Sequence, residues 1–284
     1  MPELPDLVYL EHRLLPLLRG RRISQAQVRE PVVVRMLLTG DFSTMLAGRT
    51  IHELRCHGPF LIFALDEQLE LVVHPMLAGR FKIMATDAAP GATACVSLEL
   101  VTGTTLHYLD DKKMGKVYLT AVGAYQQIPR FLSQGFDLLS IQFTADYLQA
   151  QIRKSRKQVR VLIMDQTVVS AIGNAYADEI LFCAGIHPKT FCYQLDEAAI
   201  AKLHRCIIDV MRWGIAEVEN ASPALEDKYR EHLRVRNRKD QPCPRCGTKI
   251  RRAGVLGFDT FFCPSCQPLA REQFIDWRKL PKSS

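Results

Sequence analysis

Leu7, Leu10, Leu14 and Leu18 recur at steps of three and four, which places one apolar face on a helix over residues 4–19. Pro5 suits the first turn, where its missing N–H is no loss, and Glu3 and Asp6 suit the positive end of the helix dipole. Pro16 is expected to kink or shorten the last turn, and Gly20 to stop the helix. From about Arg22 to Val122 the pattern changes to short β-branched and aromatic runs. These are Gln25–Val34, Phe60–Leu65, Leu69–His74, Cys95–Leu100, Thr104–Leu109 and Lys116–Leu119, separated by turn pairs such as Pro90-Gly91 and Thr102-Gly103. Beyond Pro129 the pattern predicts helices over Thr144–Ser155, Val159–Asp165, Asn174–Ala184, Asp196–Ala216 and Leu225–Val235, with Thr144, Asn174 and Asp196 as N-caps. The order is a helix with a β-sandwich or barrel, then an all-helical part: an α+β, multidomain chain.

Charge sharpens this division. The formal net charge is +7. Residues 226–284 hold 14 Lys and Arg against 7 Asp and Glu, and so carry the whole surplus. A second basic run, Arg153-Lys154-Ser155-Arg156-Lys157-Gln158-Val159-Arg160, contains no acid. One such run can be a solvated face, but two basic zones point to a polyanionic partner. No stretch of ~18 apolar residues predicts a membrane span, and no basic and then apolar leader opens the chain. The expectation is an intracellular protein of cytoplasm or nucleoid. In a reducing compartment Cys56, Cys95, Cys183, Cys192 and Cys206 read as small core residues.

The other four cysteines form CPRCGTKIRRAGVLGFDTFFCPSC, with Cys243 and Cys246 in one knuckle and Cys263 and Cys266 in another. Two pairs of this spacing complete a sulfur tetrahedron around one zinc ion; a redox pair or an iron–sulfur site is the alternative. Four protein ligands leave no open position, so the zinc is structural. Lys249–Arg252 and Phe258–Phe262 between the knuckles predict a short hairpin that presents Lys249, Arg251 and Arg252.

The chain opens MPELPD. With Met1 removed, Pro2 offers a secondary α-amine, and at a pKa of roughly 7.7–8 on the order of a tenth is free base at pH 7. Such an amine can attack an aldehyde carbon to give an iminium, with Glu3 as adjacent proton donor or acceptor. Alternatively the prolines and acids merely start a helix.

These features together resemble the formamidopyrimidine-DNA glycosylase/endonuclease VIII family. The resemblance rests on Pro2-Glu3-Leu4-Pro5, on Asp165-Gln166 followed by Gly173-Asn174-Ala175-Tyr176-Ala177-Asp178-Glu179, and on the four-cysteine finger. It implies an N-terminal helix and β-sandwich over 1–128, a helix–two-turns–helix domain over 129–238 and a zinc finger with tail over 239–284. It further implies a monomer that binds DNA containing damaged bases or abasic sites, flips the damaged nucleotide out of the stack, and removes the base with Pro2 as nucleophile and Glu3 as acid/base. Elimination from the resulting imine then cuts the strand. Asn174 matches the family's phosphate-clamping Asn, and Arg156 and Arg160 lie where the family places DNA-binding basic residues. Leu77, Lys112, Lys113 and Met114 lie in the loops that fill the void left by the flipped base; for Leu77 and Met114 ordinary packing is the alternative.

Two positions depart from the family pattern. Pro59 aligns with the family's catalytic Lys, and Phe258 with its zinc-finger Arg. Asp6 stands for the usual Glu. The expectation is therefore a DNA glycosylase with abasic-site lyase activity of uncertain cleavage efficiency. The alternatives are a protein that binds damaged or abasic DNA with weak or altered catalysis, and a zinc-ribbon protein acting on RNA. His57 is a candidate substitute proton donor. Lys112, Lys113, Arg251 and Arg252 are candidate replacements for the lost phosphate contacts.

Overall fold

The structure, a computed structural model, describes residues 2–255 and 257–269. Helix α1 (Leu4–Leu18) starts as its sequence dictates. Pro5 lies in the first turn, and the backbone N–H of Glu3 donates to Asp6 Oδ2 at 2.7 Å. Leu7, Leu14 and Leu18 are fully buried. Pro16 lies inside the helix, so close to the end that α1 still runs to Leu18. One side of α1 packs on β3 (Thr50–His57), the other on α6 (Glu197–Ala221), so this helix joins the two large lobes.

The first lobe adds β1 (Arg21–Val28), β2 (Val34–Met36), the short α2 (Phe42–Leu46), β4 (Phe60–Leu65), β5 (Leu69–His74), β6 (Arg80–Ala85), β7 (Ala94–Leu100), β8 (Thr104–Leu109) and β9 (Lys116–Ala121). Their hydrogen-bonded order is β2-β9-β5-β4-β3-β1-β7-β8-β6. Strand β1 pairs with β3 through Arg21 and Arg22, then with β7 from Ile23 onward, so it belongs to both halves of the sandwich. Phe63, Leu71, Val73 and Val117 of one half meet Phe81, Val96, Leu98, Leu106 and Tyr108 of the other. The strand expected over Gln25–Val34 is instead β1 followed by a 3-10 turn at Pro31–Val33. Pro31 has no N–H to extend the ladder. Strands β3 and β6 escape the sequence pattern because charged residues interrupt their apolar alternation.

The second lobe holds α3 (Ala145–Lys154), α4 (Val159–Ile163), α5 (Asn174–Ala184) and α6. Thr144 and Asp196 cap α3 and α6 as expected, accepting from Tyr147 N and Ala199 N. At α5 the cap is Gly173, and Asn174 is the first helical residue. The helix expected over Leu225–Val235 does not form. Its backbone is taken by other partners: the buried Glu179 carboxylate accepts the N–H groups of Arg234, Val235 and Arg236 at 2.9–3.0 Å. The reading of all five scattered cysteines as reduced is corrected at two of them. Cys183 of α5 and Cys206 of α6 form a disulfide, their Cα atoms 5.7 Å apart across the packed helices.

Strands β10 (Arg251–Val255) and β11 (Phe258–Phe262) form the hairpin of the finger, with β10 starting two residues later than expected. Phe182 of α5 packs with Val235, Ile250 and Phe261 beneath it. No helix among the described residues is long and apolar enough to cross a membrane.

Candidate active site at the junction of the lobes

Pro2 and Glu3 are buried where α1 meets the helical lobe. Leu4 N donates to Ala171 O at 2.9 Å, fixing the chain start against the loop before α5. The Glu3 carboxylate points at the start of α5 and accepts the N–H of Tyr176 at 3.3 Å. Gly173 allows this approach: a Cβ there would lie 2.5 Å from Glu3 Oε1. The acid is thus set on the positive end of an 11-residue helix from the other lobe. Burial nevertheless dominates and pushes its pKa up to about 7, against the lowering effect of Arg230 and with a raising effect from Asp6. A carboxyl with that pKa can both give and accept a proton at neutral pH.

Sequence reasoning missed Arg230. Its guanidinium donates from Nη1 to Asp6 Oδ1 at 2.7 Å and from Nη2 to Asp6 Oδ2 at 2.6 Å, and lies 3.6 Å from Glu3 Oε2. A bidentate arginine fixes a carboxylate in plane and direction, so Arg230 orients the Asp6 that in turn accepts the Glu3 N–H. Its position follows from the non-helical course of residues 222–235, which the local pattern did not reveal. The same segment brings Asp227 and Lys228 to a narrow cleft of about 20 Å³ lined also by Pro2, Asp6, Arg80 and Leu225.

The two loops singled out in the sequence flank this region. Leu77 is 56% exposed and Met114 41% exposed, neither in the core. Buried Asp110 shapes the second loop: it accepts Lys112 N at 3.0 Å and Gly115 N at 2.7 Å, and Tyr108 OH donates to it at 3.3 Å. Lys112 and Lys113 are exposed at its tip, with Lys113 Nζ 2.6 Å from Glu30.

Arg156 is exposed beside Lys154 and Lys157 in an open groove. The expectation that Arg160 itself contacts DNA is corrected. This side chain is 1% exposed, pairs with buried Asp178 at 3.2 Å and donates to Asn174 Oδ1 at 2.8 Å. It therefore aims the Asn174 side chain, which is partly exposed at the start of α5. Asp178 was quoted only as part of a motif. It also accepts from Arg236 (2.9 Å), Thr260 OH (2.6 Å) and Phe261 N (3.1 Å), and so ties the finger to α5.

The four finger sulfurs all lie within 4.8 Å of one another, with separations of 3.4, 3.5 and 3.8 Å among them. A tetrahedron of ~2.3 Å zinc–sulfur bonds has edges of about 3.8 Å, so the donor set and spacing fit one structural zinc.

Three family models cover most of the chain. The formamidopyrimidine-DNA glycosylase N-terminal domain matches residues 1–117, its H2TH domain 135–223, and the zinc finger found in FPG and IleRS 240–269. The formamidopyrimidine-DNA glycosylase of Pelotomaculum thermopropionicum is 32% identical over 276 residues, covering 94% of this chain and 99% of the relative.

The chain belongs to the formamidopyrimidine-DNA glycosylase family.

Among solved structures, Lactococcus lactis Fpg in complex with abasic-site DNA is similar at a TM-score of 0.85 and 29% identity, covering 94% of this chain and 100% of that one. The Fpg protein from Thermus thermophilus gives 0.82 and 30%, covering 94% and 98%. Against the family pattern, Pro59 is not merely uncharged but buried. Adjacent Phe60 packs at a tilt against Phe131 (centroids 5.1 Å) and His74 (4.6 Å), which closes that side of the sheet with aromatic rings. His57 does not replace the lysine in the cleft, since its Nε2 pairs with Phe131 O at 2.9 Å. Phe258 is 52% exposed at the finger hairpin, beside Asp259, whose carbonyl accepts from Arg236 at 2.8 Å.

Proposed function

We propose that this DNA glycosylase of base-excision repair works through the amine of Pro2, which forms an imine with C1′ of the damaged nucleotide, and that it acts as an abasic-site lyase on the same intermediate. The observation that carries the reading is the placement of Pro2 in the interlobe cleft beside a buried Glu3 whose pKa lies near 7. Removal of Met1, which lies outside the described residues, frees the amine. Glu3 then exchanges the proton that each step needs, while Arg230 and the start of α5 hold its carboxylate in place.

In this reading Asn174 and Arg156 hold phosphates, Arg160 aims Asn174, and Lys112 and Lys113 supply further charge on the opposite lobe. Leu77 and Met114 fill the gap left by the flipped nucleotide. The functional units are residues 1–128, 129–238 and 239–284, acting as a monomer on DNA inside the cell. A binding protein with weak turnover is the second reading; buried Pro59 and apolar Phe258 favour it, since both remove cations from the site.

Borohydride trapping on abasic-site DNA separates the two. A covalent adduct mapped to Pro2, and lost in Pro2→Gly with Met1 retained, is expected. No adduct despite verified removal of Met1 would leave only the binding reading.

A further inference from the structure

Two amines share the interlobe cleft. Lys228 lines it with Pro2, although the two are far apart in sequence. The lysine is not a free surface chain: its Nζ donates to Leu77 O at 2.9 Å, which anchors it between the segment after α6 and the turn after β5. We propose that Lys228 is a catalytic residue of the imine chemistry, moving the proton between the Pro2 amine and the departing hydroxyl. The proposal rests on the Pro2 reading above.

Burial lowers the Lys228 pKa to about 8, helped by Arg80 of β6 and Arg230 on its own segment; Asp6 of α1 opposes them. Asp227 also lines the cleft. An ordinary lysine near 10.4 holds its proton too firmly for rapid exchange with an α-amine near 8, whereas matched values favour transfer in both directions. Charge at the cleft is therefore supplied from a segment that sequence patterning assigned to a helix.

The atoms balance as follows. Protonated Pro2 gives its proton to neutral Lys228, and the freed nitrogen bonds to the aldehyde C1′ of an abasic sugar. The remaining N–H proton moves to the aldehyde oxygen, giving a carbinolamine. The Lys228 ammonium then protonates that hydroxyl. The C1′–O bond breaks, water leaves, the nitrogen lone pair forms the iminium double bond, and Lys228 returns to the neutral amine.

The test uses the full-length protein with its zinc, and measures the rate of borohydride-trapped adduct on abasic-site DNA from pH 6 to 10. Wild type, Lys228→Met, Lys228→Arg and a control, Lys82→Met, are compared. Lys82 pairs with Glu226 at 2.9 Å and does not line the cleft. Binding to duplex carrying a tetrahydrofuran abasic analogue and thermal melting are measured on each. In wild type the rate should fall above about pH 8, where both amines are free base and Pro2 no longer has a proton to pass to Lys228 for delivery. Lys228→Met should slow trapping by on the order of 100-fold and abolish that fall, with melting and analogue affinity retained. Lys228→Arg keeps the charge but cannot release a proton, so it should remain slow; Lys82→Met should match wild type. Full rate in Lys228→Arg would reduce Lys228 to a phosphate-holding charge and overturn the proposal. So would an unchanged rate and pH profile in Lys228→Met. An adduct mapped to Lys228 itself would make it the nucleophile instead. No adduct in wild type would fell the Pro2 reading, and this proposal with it.

Discussion

Replacing Glu3 by Gln should make the protein relatively more stable as pH rises. In the folded chain burial raises the Glu3 pKa to about 7 from a reference of 4.5. A carboxyl whose folded pKa is raised favours folding most below its unfolded pKa, and this contribution is lost as pH climbs through the folded value. The stabilisation lost to this titration is about 1 kcal/mol at pH 5 and about 3 kcal/mol at pH 8, a difference of about 2–3 kcal/mol. Glutamine has no such titration. It keeps an acceptor for Tyr176 N but turns an amide NH2 towards Arg230, which sits 3.6 Å from Oε2. That fixed loss lowers stability by the same amount at every pH and drops out of the comparison. Urea unfolding of both proteins at pH 5, 6, 7 and 8 gives the test. The difference (variant minus wild type) should climb by about 2–3 kcal/mol across the range, most of it between pH 5 and 7. Parallel curves would refute the placement of Glu3 as a buried, readily protonated carboxyl, and with it the proton exchange assigned to it.

Three further outcomes follow from other contacts. Gly115→Ala puts a Cβ into the Tyr108 hydroxyl and 3.0 Å from Asp110 Oδ2. It should cost about 1–3 kcal/mol in unfolding experiments, and Tyr108→Phe in the same chain should recover part of that loss. Asp178→Ala strips the partner from buried Arg160 and from Arg236, Thr260 and Phe261. Loss of about 3–5 kcal/mol is expected, with faster proteolysis of the finger than of the β lobe. Stripping zinc with a chelator should abolish DNA binding while the β lobe stays folded, as read by titration with abasic-analogue duplex and by circular dichroism; unchanged affinity after verified metal loss would remove the finger from the DNA interface.

Much of this molecule was legible in one dimension because its determinants are local. The α1 face, the caps at Thr144 and Asp196, and the paired knuckles of the finger each depend on residues within a few turns of chain. The chemical groups Pro2 and Glu3 were legible for the same reason: a chain start and its neighbour need no fold to be noticed. What the sequence could not supply was which distant partners would claim a segment's polar groups. Residues 225–235 carry a helical pattern, but Glu179 binds three of their N–H groups, and a satisfied buried carboxylate outweighs weak local propensity. That irregular course carries Arg230 to Asp6 and Lys228 to the Pro2 cleft. Arg160 shows the same limit in reverse. Its place in a basic run suggested an exposed contact, but Asp178, eighteen residues on, buries it and turns it into the support for Asn174. The sequence by itself marked the proposed nucleophile, its neighbouring acid and four cysteines spaced for one metal ion. The tertiary structure decided the ionisation of that acid and which cations stand beside it, because burial and long-range pairing are properties of the assembled junction.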